Sequence, residues 1–231
     1  AGIANRIGAR FASAVAECIP GSLKGAVVTG NPLRQAITHL DRVASREQAR
    51  AHFGIQADKQ VVLVFGGSLG AQSLNRVIAE LVTEGGLGDT VILHSYGNKN
   101  QAPALPSDNY IPLPYIENMD LAYAAADFVI CRSGAMTVAE LTAVGLPACY
   151  VPLPHGNGEQ MLNTQAVIAA GGGVVVADEE FTSAFVRETL VPLLASPDRL
   201  SAMAQCARKV GKPDAAERLA DLVESVAGGK R

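Results

Sequence analysis

Three glycines, Gly66, Gly67 and Gly70, surround Ser68 in VFGGSLGAQSLN (64–75), where an apolar run gives way to a helical pattern. Glycine allows a tight turn and close backbone approach to an anion, and the free amides and dipole of the following helix favour a phosphate. The spacing is neither GxGxxG nor a P-loop with its lysine, and a strand-to-helix turn holding no ligand would use the same residues. CRSGAMTVAEL (131–141) repeats the arrangement: Ser133 and Gly134 open a helix, and Arg132 adds a positive charge beside its N-terminus. This is a second candidate phosphate turn. Helical spacing brings Met136 and Thr137 onto the face of Glu140. A carboxylate repels a phosphate, so Glu140 suits the two hydroxyl donors of a ribose, or is an ordinary solvated helix residue.

A third loop, PLPHGNGEQMLN (152–163), leads into a helix carrying Glu159, Gln160 and Asn163, whose amides and carboxylate suit sugar hydroxyls better than phosphate. His155 in that loop can titrate but has no partner identifiable from sequence. Arg34 follows a Gly-Asn-Pro turn from which it can reach a cleft between domains. Ile116 ends the strand-like PYIEN segment, where its backbone can pair with a base edge. No acidic pair of the DxD kind stands at a strand end, so no obligatory metal is expected.

The elements that must hold these residues follow from periodicity. VVLVF (61–65), TVILHSY (90–96), NYIPLPYI (109–116), DFVIC (127–131), ACYVPL (148–153) and GVVVA (173–177) read as buried strands. Helical patterns lie between them at 71–83, 135–144 and 159–170. Strands buried on both faces and alternating with helices imply an α/β fold with a parallel, doubly wound sheet, whose ligands sit beyond the carboxyl ends of the strands. Residues 1–20 read as a helix stopped by Pro20 and Gly21, and 25–32 as a solitary strand. Ser45 with Gln48 reads as a capping box, Gly54 as the stop of that helix, and Pro197 and Pro213 as first-turn prolines of two more. The terminal GGKR reads as a disordered end.

A net charge of −3 over 231 residues argues against wholesale nucleic-acid binding, so an anionic ligand must be held by a local site. Four scattered cysteines without CxxC spacing argue against zinc or a disulfide framework; three sit in apolar segments as expected buried thiols, which fits a reducing cytoplasm. No run approaches the roughly 18 apolar residues of a spanning helix, and the N-terminal residues lack a secretory layout.

Together GNPLR, GGSLGAQ, RSGAMTVAE and PHGNGEQMLN, in this order and spacing, resemble the second half of the MurG family, the bacterial peptidoglycan N-acetylglucosaminyltransferases that build lipid II from lipid I. The resemblance covers essentially the whole chain. It implies a GT-B glycosyltransferase fold of two Rossmann-like domains, with UDP-N-acetylglucosamine held mainly by the C-terminal one. Ser68 and Arg34 would contact the diphosphate region, and Ile116 would recognise uracil through its backbone. Ala135, Met136, Thr137, Val138, Ala139 and Glu140 would line the nucleotide, with Glu140 on the ribose and Arg132 nearby. Gln160 would hold sugar hydroxyls; where the family often has two adjacent glutamines, Glu159 precedes it here.

The resemblance further implies that residues 1–33 are the tail of an acceptor domain, 34–211 the donor domain and 212–231 a helix returning to the acceptor domain. The catalytic base would then lie outside this chain, and the 231 residues would bind donor without turning it over. Cofactor and metal would be absent, the acceptor would be lipid I reached through the missing domain, and no nucleic acid would take part. The whole protein would sit peripherally on the cytoplasmic face of the bacterial plasma membrane. The alternatives are a UDP-sugar 2-epimerase-like enzyme and a non-catalytic nucleotide-sugar binding module; a dinucleotide oxidoreductase lacks its GxGxxG.

Overall fold

The computed structural model describes residues 2–67, 70–101, 108–154 and 158–228; Ser68 and His155 lie outside the described residues, as do the last residues of the GGKR tail. A short helix α1 (Ile3–Ala9) precedes strands β1 (Ala16–Glu17) and β2 (Val27–Val28), which pair in parallel. The expected helix over 1–20 is therefore only seven residues long, and the strand at 25–32 is not solitary. Glu17 fixes the intervening turn by accepting from the Gly21 and Leu23 amides at 2.8 and 2.9 Å. Long-range pairing and that carboxylate override the local helical pattern.

Helices α2 (Gln35–Thr38) and α3 (Arg42–His52) lead to strand β3 (Val61–Phe65). The cap of α3 is Asp41, accepting from the Val43 and Ala44 amides at 3.0 Å each, so the Ser45–Gln48 capping box is corrected by one turn. Arg42 explains the earlier start: it donates to the carbonyls of Tyr123, Gly145 and Ala126. The stop at Gly54 holds, in the left-handed region at φ +69°.

Helix α4 (Gln72–Thr83), strands β4 (Val91–Ser95) and β5 (Tyr110–Leu113), helix α5 (Met119–Ala125) and strand β6 (Phe128–Cys131) follow, then α6 (Ala135–Val144), β7 (Ala148–Tyr150), α7 (Glu159–Ala169) and β8 (Gly173–Val175). All six strands from β3 onward form one parallel sheet, ordered β5-β4-β3-β6-β7-β8. Side chains alternate between two apolar cores: Leu63, Phe65, Val129 and Tyr150 on one face, Val62, Val64, Ile130 and Cys149 on the other. The chain winds outward in both directions from the β3–β6 pair, so the crevice beyond Phe65 and Cys131 is the switch point at which such sheets bind ligands.

The sequence reading missed α8 (Ser183–Phe185) and α9 (Val191–Leu194), joined by a π-helical turn at Val186–Leu190 that buries Val186 and Leu190. Pro197 does open α10 (Pro197–Val210), whereas α11 (Ala215–Gly228) begins two residues beyond Pro213. Cys131 and Cys149 are buried, Cys206 is partly so and Cys18 is exposed, which corrects the expectation of three buried thiols.

Candidate functional site

Both glycine-bearing turns emerge at the switch point. After β3, a Cβ on Gly66 would stand 2.3 Å from the Ala71 Cβ, and one on Gly70 would stand 2.1 Å from the Tyr96 carbonyl oxygen. Glycine is thus required at Gly66 by the turn's own close packing on Ala71 and at Gly70 by packing against Tyr96 beyond β4, whatever the loop binds. The Tyr96 carbonyl also accepts from Asn75 and Asn100 at 2.9 and 2.8 Å. Behind it lies a network invisible in sequence. His94, fully buried on β4, meets Tyr110 Oη at 2.9 Å through Nδ1 and Asn75 Oδ1 at 3.1 Å through Nε2.

A carbonyl only accepts, so Tyr96 fixes the Asn75 amide with its nitrogen inward and its oxygen toward His94. His94 then carries its proton on Nε2, and its Nδ1 accepts from Tyr110. Burial holds the imidazole neutral by lowering its pKa to about 4. Partners 16 and 19 residues away leave no local signal.

The second turn places the N-terminus of α6 beside the first. Gly134 supplies no side-chain cap, and the first helical bond at this end runs from the Val138 amide to the Gly134 carbonyl at 3.0 Å. The Ala135, Met136 and Thr137 amides are the donors such a terminus leaves for an anion. Arg132 differs from the open cation expected. Its side chain is buried, pairs with Asp178 at 2.5 Å, and donates to the Val151 and Pro152 carbonyls and to Ser73 Oγ. Ser73 donates in turn to Asp178. The guanidinium therefore fastens α4 to the end of β7, and its charge is largely neutralised. Among the described residues Arg132 Nε, Ser133 Oγ and Tyr150 Oη are buried without a hydrogen-bond partner.

Arg34 and Glu140, 106 positions apart in sequence, meet here. Arg34 Nη2 lies 3.5 Å from Glu140 Oε1, with the arginine side chain 61% and the glutamate 12% exposed. The other oxygen, Oε2, accepts from Tyr123 Oη at 2.8 Å. The open-surface reading of Glu140 is thereby replaced by a paired, largely enclosed carboxylate. Met136 is exposed and Thr137 and Ala139 half-buried, while Val138 is buried at 8% exposure and packs with the core. Ala135 offers its carbonyl to Asn31 Nδ2 at 3.2 Å, tying the Gly-Asn-Pro turn to α6.

Ile116 is buried beyond the end of β5, in the wall of a hollow of about 390 Å³ with Phe53, Tyr115 and Asn118. Among the described residues its backbone groups make no hydrogen bond. At the third loop, Gln160 Oε1 accepts from the Leu153 amide at 3.0 Å, which leaves its NH₂ for other partners, and Asn163 donates to the Ser133 carbonyl at 2.9 Å. Asn163 thus braces the second turn, while Glu159 is exposed at the start of α7. A cleft of about 730 Å³ runs between α6, α7 and residues 18–20 and shares only Ala135, Val138 and Ala139 with the expected contacts. Among the described residues there is no cluster suited to a metal and no helix long and apolar enough to cross a membrane.

Residues 61–219 match the glycosyltransferase family 28 C-terminal domain. The chain is 52% identical over 235 residues to a UDP-N-acetylglucosamine--N-acetylmuramyl-(pentapeptide) pyrophosphoryl-undecaprenol N-acetylglucosamine transferase of Mycobacterium ulcerans, covering 98% of this chain and 59% of that protein. To the transferase of the same name from Mycobacterium avium it is 54% identical over 228 residues, covering 95% and 55%. The crystal structure of Acinetobacter baumannii MurG is similar at a TM-score of 0.75 and 30% identity, over 97% of this chain and 64% of that one. The chain spans about three fifths of the length of the curated relatives it matches.

Proposed function

We propose, on the premise that this chain belongs to glycosyltransferase family 28 through its C-terminal domain, that it holds the donor site of an inverting N-acetylglucosaminyltransferase that converts lipid I to lipid II in peptidoglycan synthesis. The observation that carries this reading is the meeting of Arg34 and Glu140 beside the uncapped N-terminus of α6, at the switch point of a parallel sheet. That combination offers a cation and free amides to a diphosphate and a carboxylate to a ribose. Residues 34–211 form the donor unit: Arg34, Ser68 and the α6 amides take the diphosphate, Glu140 the ribose, the Ile116 backbone the uracil, and Gln160 the sugar hydroxyls.

In the reaction the 4-hydroxyl of the muramyl sugar attacks C1 of N-acetylglucosamine as UDP departs, inverting that carbon. Helix amides and Arg34 stabilise the charge growing on UDP, with no metal needed. The base that takes the hydroxyl proton comes from the part of the whole protein beyond this chain, and the whole protein works peripherally on the cytoplasmic face of the membrane. Calorimetry of the chain with UDP-N-acetylglucosamine, UDP-N-acetylgalactosamine and NAD tests the donor assignment. Binding of UDP-N-acetylglucosamine without NAD is expected; a response to NAD alone would return the fold to dinucleotide chemistry.

A further inference from the structure

Glu140 does not present a free carboxylate. Its Oε2 accepts from Tyr123 Oη at 2.8 Å, and its Oε1 lies 3.5 Å from the exposed Arg34 guanidinium. Tyr123 is itself held on two sides: the residue is 1% exposed, its ring packs near Phe65, and its carbonyl accepts from Arg42 Nε at 3.0 Å. A buried phenol held at its backbone and along its ring fixes the plane of the carboxylate it bonds. We infer that Tyr123 is a positioning residue that leaves Glu140 a single available oxygen, and that nucleotide binding exchanges Arg34 for a ribose hydroxyl on that oxygen. The inference rests on the reading above that Glu140 faces the ribose.

The physical reason is competition for one acceptor. With Oε2 tied to Tyr123, Oε1 is the oxygen that both the guanidinium and a ribose hydroxyl approach; the diphosphate draws Arg34 off it, and the hydroxyl takes the place the guanidinium leaves. Burial and the adjacent carboxylate hold the Tyr123 hydroxyl well above the usual phenol range, so it remains a donor throughout the working pH range. Without that hydroxyl the carboxylate can rotate and offer both oxygens to the guanidinium fork, a geometry arginine favours. Arg34 would then hold the carboxylate against the nucleotide. Tyrosine at this point keeps the resting ion pair weak enough to exchange.

The test compares UDP with 2′,3′-dideoxy-UDP, which lacks both ribose hydroxyls, by calorimetry on the full chain at neutral pH. Tyr123→Phe should weaken UDP by about tenfold, as for loss of one well-placed hydrogen bond to a charged group, and weaken the dideoxy nucleotide clearly less, since only the release of Arg34 to its diphosphate is then affected. Equal loss for both nucleotides, or none for either, overturns the positioning role while the ribose reading stands. If the wild-type chain binds the two nucleotides equally, or neither, the ribose assignment fails first and takes this inference with it. Arg34→Ala gives an independent reading should Tyr123→Phe not fold. Freed of its competitor, Glu140 should bind uridine, which has no phosphate, about threefold more tightly, while UDP weakens. Uridine binding that is unchanged or weaker overturns the exchange.

Discussion

At the residue scale, His94 carries the cost of its burial as a pH dependence. In the unfolded chain its imidazole titrates near the ordinary value of 6.5, but in the folded chain burial lowers this to about 4. Between those values the unfolded state binds a proton that the folded state refuses, so stability falls as pH falls through the window and is unaffected by this group above it. The loss amounts to about 3 kcal/mol across the whole window. Urea midpoints of the wild type and His94→Gln at pH 7 and pH 4.5 should show the larger acid loss in the wild type. Equal losses would mean that the unfolded-state proton is not what drives it. Arg132 teaches the complementary lesson: a cation beside a helix N-terminus looks available in sequence, yet Asp178, Ser73 and two carbonyls already hold it.

At the scale of elements, the helices facing the crevice are located by contacts beneath them. Asp127 accepts from Arg46, Arg50 and the Val61 amide, so α3, the start of β3 and the entry to β6 share one carboxylate. Arg42 adds the ends of α5 and α6 to the same cluster. The turn after β3 depends on glycine for a different reason, because a methyl on Gly66 overlaps Ala71. Gly66→Ala should destabilise the fold by about 1 to 3 kcal/mol and displace the loop, as overpacking of a tight contact does. Urea unfolding reads the first effect and a drop in UDP affinity by calorimetry reads the second. An unchanged midpoint with full affinity would show that the turn yields without consequence.

At the scale of the whole molecule, one parallel sheet brings Arg34, Ile116 and Glu140 to its carboxyl edge from three distant parts of the chain. Such an edge can hold a nucleotide, but glycosyl transfer also requires an acceptor and a base. The 231 residues alone should bind UDP-N-acetylglucosamine and transfer no sugar to a lipid-linked muramyl acceptor. The whole protein, with the portion that its relatives have beyond the matched span, should complete the transfer. Product formation assayed with labelled donor separates the two; transfer by the 231 residues would put the base within them.

Much of the architecture was legible because its signals are local. Continuous apolar runs mark strands buried on both faces, and VVLVF and DFVIC fall on β3 and β6 to within a residue. The handover from strand to helix at Gly134 needs only the change of period, so the start of α6 was legible too. What the sequence could not supply was partnership at a distance. Asp41 outcompetes the Ser45–Gln48 pattern because Arg42 finds carbonyls roughly 80 to 100 residues away. Residues 16–17 become a strand because 27–28 pair with them, and Glu140 acquires Tyr123 and Arg34 only when the sheet has formed. Residue types and periodicity therefore determined which turns stand at the crevice, since backbone preference acts over a few residues. Which of their side chains remain available to a ligand was decided by the tertiary structure, because buried charge and hydrogen-bonding groups must be satisfied by whatever packing brings near.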